Sequence, residues 1–247
     1  MLRMMEHEPS SSAALARPEW LAGVSQALPI VLGYVPIGLA FGVLAQKAGL
    51  GPLTALAMSL FVYAGSSQLI AVGLISAGAS PLSIIITTFV VNLRHMLMSA
   101  ALSPYLKRWA KAHLAAFAYE LTDETFVVHA TRFGGDPLPV PSRARAFATN
   151  ATAQLAWLLG TALGVALGSA IADVKPLGLD YALPAMFIAL LVLQIKGRLE
   201  IVVALAAGAL AIGLQLAGVE QWNVIIATAI GAAIGALCEP WTKRPST

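Results

Sequence analysis

Long apolar runs separated by short polar punctuation fill this sequence. Eight runs can be drawn, at roughly 21–46, 52–78, 81–106, 112–131, 146–172, 177–195, 199–217 and 222–238. Each approaches the roughly 20 residues that a helix needs to cross a bilayer. Prolines and charges fall between them: Lys47 to Pro52, Pro81, Lys107 to Lys111, Arg132 to Arg145, Asp173 to Pro176, Lys196 to Arg198, and Glu220. No run alternates polar and apolar residues as a barrel strand does. The pattern predicts an all-α, polytopic bundle in a membrane.

Two runs are poor simple spans. The first carries GYVPIGLAFG at 33–42, where Pro36 lacks an N–H and disfavours helical geometry at Val35. A break between Gly33 and Gly38 is expected there. The fourth holds ELTDET at 120–125, whose carboxylates cannot face lipid. Cytoplasmic loops collect Lys and Arg, and letting the first and fourth runs dip in and return leaves only Lys175 outside. The charge bias favours at least one broken or re-entrant segment and places the C-terminus in the cytoplasm. The expected organisation is a disordered cytoplasmic tail over 1–20, one transmembrane domain of about six to eight crossings over 21–238, and a cytoplasmic tail over 239–247. ALPIVL at 27–32 resembles ALPAMF at 182–187, and SAALSP at 99–104 resembles GALCEP at 235–240. An inverted repeat, as in many secondary transporters, is one reading of these matches.

Composition narrows the function. Apolar residues make up 58% and charged residues 11% of the chain, against about 25% charged in soluble domains. The formal charge of +3 reports loop orientation rather than a nucleic-acid partner. Cys238, the single cysteine, can form no internal disulfide. There is no GxSxG elbow, HExxH pair or Walker loop, so no enzyme is expected and the reading needs neither cofactor nor metal.

Four polar groups stand out in the apolar background. Thr88, Asn92, His95 and Ser99 fall on one helical stripe, which either lines a cavity or hydrogen-bonds neighbouring helices. Arg94 lies roughly 15 Å before Pro104 along a helix. An arginine that deep costs at least ~2.5–3.5 kcal/mol unless paired or hydrated. It is either an ion-pair partner of a fourth-segment carboxylate or a clamp for an anionic substrate group, and the two roles could alternate. YAGSSQ at 63–68 combines Tyr63, the small Gly65, and the polar Ser66, Ser67 and Gln68. It reads as a glycine-centred break lining a binding site, or as a packing seam. Glu120, Asp123 and Glu124 at i, i+3 and i+4 would share a helical face, where crowding could keep one protonated for proton coupling. Gly160, Gly164 and Gly168, and likewise Ala227, Gly231 and Gly235, space small residues for close helix contacts.

LPIVLGYVPIGLAFG (28–42), FVYAGSSQL (61–69), NLRHMLMSAALSPYL (92–106) and ELTDETF (120–126) together resemble the AzlC-type family, large subunits of branched-chain amino acid exporters. The match is dense over 20–130 and thinner beyond, with Asn150, Trp157 and the Pro184 segment compatible. The resemblance implies a multi-pass protein of the bacterial cytoplasmic (inner) membrane that works with a small AzlD-type membrane subunit. It implies proton-driven export of leucine, isoleucine, valine and sometimes methionine. Substrate contacts are then expected from Tyr34, Pro36, Gly38, Tyr63, Gly65, Ser66, Gln68, Asn92 and Arg94, and proton coupling from Glu120, Asp123, Glu124 and His95. Phe41, Phe61 and Leu69 are the expected apolar slot. A passive channel, an intramembrane enzyme and a structural subunit of a transport complex are the alternatives.

Overall fold

The computed structural model describes residues 18–135, 141–168, 197–219 and 223–238, with scattered positions between 169 and 196. The described elements are all helical. In chain order they are α1 (Glu19–Lys47), α2 (Pro52–Ala57) continued by a π-helical turn (Met58–Val62), α3 (Gly65–Ser76), and α4 (Pro81–Leu102) continued by a 3₁₀ turn (Ser103–Leu106). Then come α5 (Lys111–Tyr119), α6 (Asp123–Gly135), α7 (Arg143–Gly168), α8 (Arg198–Leu216) and α9 (Asn223–Cys238). Among the described residues, four helices are long and apolar enough to cross a membrane: Glu19–Lys47, Pro81–Leu106, Arg143–Gly168 and Arg198–Leu216. Pro52–Val62 and Gly65–Ser76 are apolar but shorter. The protein is an all-α membrane bundle.

A glycine seam between α1 and α7 forms its centre. Gly23 abuts the Arg145 carbonyl, Gly38 the Trp157 carbonyl and Gly160, Gly42 the Thr161 carbonyl and Gly164, and Gly168 the Gln46 side chain. Residue numbers rise together along both helices, so the two run parallel. Backbones this close leave no space for a methyl group: a Cβ on Gly160 would sit 2.4 Å from the Val35 carbonyl oxygen. The small-residue spacing read from the sequence is used as expected, since contact without bulky side chains maximises dispersion where no hydrophobic driving force separates helix from lipid. At the N-terminal end of the pair, Arg145 binds Glu19 at 2.6 Å, and Thr149 Oγ1 donates to the Gly23 carbonyl at 3.1 Å.

Two helical hairpins reach the middle of this pair from opposite ends. The first leaves the C-terminal end of α1. Its descending arm brings Ser59 to Thr161 (Oγ–Oγ1 2.7 Å), and its tip lays Gly65 on the Trp157 ring. The returning arm is α3, because α4 ends beside the N-terminal end of α7. There Trp109 stacks on Phe147 at 5.8 Å, and Leu102 and Leu106 pack with Ala146. Arg94, midway up α4, donates to Ser66 at the first tip. The start of α4 and the end of α3 therefore lie back where the hairpin began. The second hairpin climbs from Trp109 through α5 to Tyr119, whose hydroxyl donates to the Leu60 carbonyl. α6 then descends past the His129–Asn150 contact (2.7 Å) to Phe133, stacked beside His129 and facing Tyr105.

α8 and α9 pack antiparallel, with Gly231 against Ala207 and Gly235 against Val203.

Three expectations change. α1 runs unbroken from Glu19 to Lys47 with Pro29 and Pro36 inside it, so the break expected between Gly33 and Gly38 does not occur. Both prolines sit on the exposed face, where their rings leave the α7 seam undisturbed, and membrane helices tolerate the lost hydrogen bond. The chain breaks instead at Tyr63, which adopts left-handed φ 42 and ψ 46 after the π-helical turn. It is the second run, not the first, that dips and returns. The fourth run does so as expected, but its break between Tyr119 and Asp123 removes Glu120 from the helix that carries Asp123 and Glu124. The three carboxylates do not share one helical face. α1 also begins inside the stretch read as a tail. The 182–187 and 239–240 stretches of the proposed repeat lie mostly or wholly outside the described residues.

Candidate functional site

Where the two tips meet, a cleft opens that is lined by Tyr34, Ile37, Tyr63, Ala64, Gly65, Ser66, Arg94, His95, Thr122, Asp123, Glu124 and Trp157. It holds about 410 Å³ counted out to its open mouth. Every wall comes from a different element: α1, the first tip, α4, the second tip and α7. The cleft is thus shared by the α1–α7 pair and three further elements, α4 and the two tips.

The first tip contributes an uncapped helix start. Gly65 opens α3, Ala64 provides no side-chain cap, and the first backbone donors of a helix lack intrahelical acceptors. Gly65 is required here because a Cβ would fall 2.8 Å from the Trp157 ring. Beside it, the Tyr63 hydroxyl is buried without a hydrogen-bond partner.

The second tip is capped. Thr122 N donates to Thr125 Oγ1 at 2.8 Å, and Thr125 N donates back to Thr122 Oγ1 at 3.4 Å. This reciprocal pair is a capping box with threonine in place of the usual Glu or Gln. Asp123 and Glu124 thus occupy the first turn of α6, where the positive end of the helix dipole favours a carboxylate.

The charges close the cleft across elements. Arg94 NH1 binds Asp123 Oδ2 at 2.6 Å, with the two side chains 27% and 23% exposed, so the pair is neither sealed nor freely solvated. The same guanidinium donates through NH2 to Ser66 Oγ, while its Nε is buried without a partner. Opposite, Tyr34 OH donates to Glu124 Oε2 at 2.5 Å and lies 2.7 Å from Thr122 Oγ1. One guanidinium, two carboxylates and a free helix start therefore converge within one cleft, walled by Tyr34, Ile37, Tyr63 and Trp157.

Of the residues singled out from the sequence, Tyr34, Tyr63, Gly65, Ser66, Arg94, His95, Asp123 and Glu124 meet here. Others are placed elsewhere. Pro36 is exposed, and Gly38 is spent on the α7 seam. Gln68 is fully buried behind the tip, donating through Nε2 to Ser59 Oγ at 3.2 Å. Asn92 and Glu120 each keep a buried side-chain oxygen without a partner, outside the cleft lining. Phe41 stacks on Trp157 at 6.1 Å outside the cleft lining, Leu69 is buried in the same core, and Phe61 is 71% exposed. Ile37 and Trp157 form the apolar wall instead. Thr122 and Thr125, which flank Asp123 and Glu124, carried a capping signal that the sequence reading missed. Ile37 carried no signal beyond its apolarity. Among the described residues no group of three His, Cys, Asp or Glu side chains gathers as a metal site.

Residues 29–171 match the family model described as AzlC protein. The chain is similar to the Inner membrane protein YgaZ of Escherichia coli, 28% identical over 93% of each chain. It is 32% identical to an uncharacterised membrane protein of Archaeoglobus fulgidus over 85% of this chain and 90% of that one. It is 25% identical to the Branched-chain amino acid transport protein AzlC of Bacillus subtilis, covering 68% of this chain and 64% of that one. No solved structure matches significantly.

Proposed function

Because this chain belongs to the AzlC family, we propose that it is a secondary transporter exporting branched-chain amino acids through the cleft between the hairpin tips. The observation that carries the reading is the convergence of Arg94, Asp123, Glu124 and the uncapped start of α3 beside aromatic walls. A zwitterion with an apolar tail asks for these groups: donors for its carboxylate, an acceptor for its ammonium and an apolar wall for its side chain. Arg94 or the α3 N–H groups take the carboxylate, and Asp123 or Glu124 takes the ammonium. Tyr34, Ile37 and Trp157 meet the aliphatic tail.

Export is coupled to protons in this reading. Arg94 and Asp123 neutralise each other in the absence of substrate, so a substrate carboxylate that engages Arg94 releases Asp123. The released carboxylate can then hold either the substrate ammonium or a proton, so the two exclude each other, as exchange of an inward proton for an outward amino acid requires. The protein resides in the bacterial inner membrane with its C-terminus in the cytoplasm, and acts with a small AzlD-type subunit. The similarity to the Bacillus subtilis transport protein supports the substrate class.

Leucine efflux from vesicles holding this chain, with and without the small subunit, tests the proposal under an imposed pH gradient. Gradient-stimulated, saturable efflux is expected. Flux indifferent to the gradient points to a passive channel, and no flux with either composition ends the proposal.

A further inference from the structure

The two hairpin tips carry the same motif. Residues 61–68 read Phe-Val-Tyr-Ala-Gly-Ser-Ser-Gln, and residues 117–124 read Phe-Ala-Tyr-Glu-Leu-Thr-Asp-Glu. Phe61 matches Phe117, Tyr63 matches Tyr119, Ser66 matches Thr122, and Gln68 matches Glu124. Each octet sits at the turn between a rising and a returning helix, and the hairpins come from opposite ends. Each is also preceded by a long helix, α1 or α4, and these two run in opposite directions. The chain from α1 to α6 is thus two inverted units.

Two contacts between the units are alike in kind, each from a long helix to the other unit's tip, although the octet register pairs Arg94 with Gly38 and Tyr34 with Val90. Arg94, on the long helix of the second unit, donates to Ser66 at the first tip. Tyr34, on the long helix of the first unit, lies 2.7 Å from Thr122 at the second tip. Several contacts have no counterpart, Arg94 with Asp123 and Tyr34 with Glu124 among them, and a further one joins the two tips. Tyr119 donates its hydroxyl to the Leu60 carbonyl, and the corresponding pair, Tyr63 with the Ala116 carbonyl, is not made. Instead the Tyr63 hydroxyl is buried with no partner, and its backbone sits at φ 42, a costly conformation for a bulky residue. The Ala116 carbonyl accepts the Glu120 N–H at 3.2 Å and has a second lone pair to offer.

Inverted units reach an opposite-facing state by rocking or gating one against the other around the site between them, which lets a contact made by one unit give way to its counterpart in the other. The geometry points to Tyr119 and Tyr63 as alternating positioning residues that latch the two facing states. The Tyr119 bond to the Leu60 carbonyl holds the present state, and a Tyr63 bond to the Ala116 carbonyl holds the opposite one. The assignment deepens the transport reading given above, on which its role in a cycle rests. It gives the orphan hydroxyl of Tyr63 an acceptor, and it places both latches on backbone carbonyls, which no side-chain substitution elsewhere can remove.

The test reads sidedness and needs no flux. In a Cys238→Ser background, a reporter Ala64→Cys in the cleft is labelled with a membrane-impermeant maleimide from each side of oriented vesicles, without substrate or gradient. Tyr119→Phe should shift the ratio of labelling from the two sides by roughly two- to tenfold, the worth of one hydrogen bond. Tyr63→Phe should shift it in the opposite direction. A merely structural role moves both variants the same way or neither, and either result overturns the proposal. Cross-linking covers the case of a variant that fails to fold: Leu60→Cys with Tyr119→Cys, and Tyr63→Cys with Ala116→Cys, bridged by a short bifunctional thiol reagent because a hydroxyl-to-carbonyl bond leaves the Cα atoms beyond disulfide reach, should each close and trap opposite sidedness. Failure of the second pair to close also overturns it. Opposite shifts in a protein that moves no amino acid would leave the latch standing and sink the transport reading instead.

Discussion

Gly164 tests the seam that fixes the cleft. A methyl group there would lie 2.1 Å from the Leu39 carbonyl oxygen, 2.9 Å from the Leu39 carbonyl carbon and 3.0 Å from Gly42 Cα. All three are backbone atoms, so no side chain can swing aside. To reach ordinary contact the helices must part by about 1 Å, and a gap of that size forfeits a quarter to a half of the dispersion well for the atoms it separates. Overpacking of this kind costs roughly 1–3 kcal/mol, and for a chain of this size about 2–4 °C of melting temperature per kcal/mol. Gly33 is the control, since a Cβ there meets nothing within 4 Å, and alanine in a helix gains up to ~1 kcal/mol over glycine. Gly164→Ala should therefore lower the melting temperature in detergent by several degrees, with Gly33→Ala unchanged or slightly higher. Trp157, which walls the cleft, rides on the same helix, so leucine efflux should fall with Gly164→Ala at equal protein level. Equal melting of the two variants would refute the close parallel packing of α1 and α7.

The other expectations concern the cleft itself. Arg94→Ala should abolish efflux, and Arg94→Lys should restore only part, because one ammonium cannot hold Asp123 and Ser66 in the same forked geometry; wild-type efflux from the alanine variant at equal protein level would end this. Asp123→Asn and Glu124→Gln should keep leucine exchange while losing stimulation by a pH gradient, measured in the same vesicles. Full stimulation in both would move the coupling group elsewhere, with His95 next. Thr122→Ala should cost about 1 kcal/mol through the lost cap and weaken efflux by removing one of the two contacts of the Tyr34 hydroxyl, whereas Thr122→Ser should retain both; thermal melting and initial rates separate the two effects.

The apolar runs announced a membrane bundle, and glycine spacing announced the α7 seam, because both follow from rules local to one helix. The polar stretches YAGSSQ at 63–68 and ELTDET at 120–125 marked both tips, since burying such groups in lipid is too costly unless they line a cavity. Pro36 misled because proline weighs heavily in a soluble helix and lightly in a membrane one. The helical face drawn through Glu120, Asp123 and Glu124 assumed continuity that Thr122 ends by capping α6. Gly38 and Gly65 show the same ambiguity: both permit close approach, and only the fold reveals that one meets a backbone and the other the Trp157 ring and the cleft. Long-range partners such as Tyr34 with Glu124 leave no trace in local spacing.

Bilayer thickness follows from the length of α1. Its apolar stretch from Leu21 to Ala45 rises roughly 37 Å at about 1.5 Å per residue, against a hydrocarbon core of about 30 Å. Such an excess is absorbed by tilt or by local thickening of the lipid. The glycine seam forbids α1 from tilting alone, so α7 leans with it and carries Trp157 along. A shorter acyl chain would then tilt the whole strut against the two tips that reach it from its opposite ends. On the transport proposal, lipid length would become a dial on which way the cleft faces.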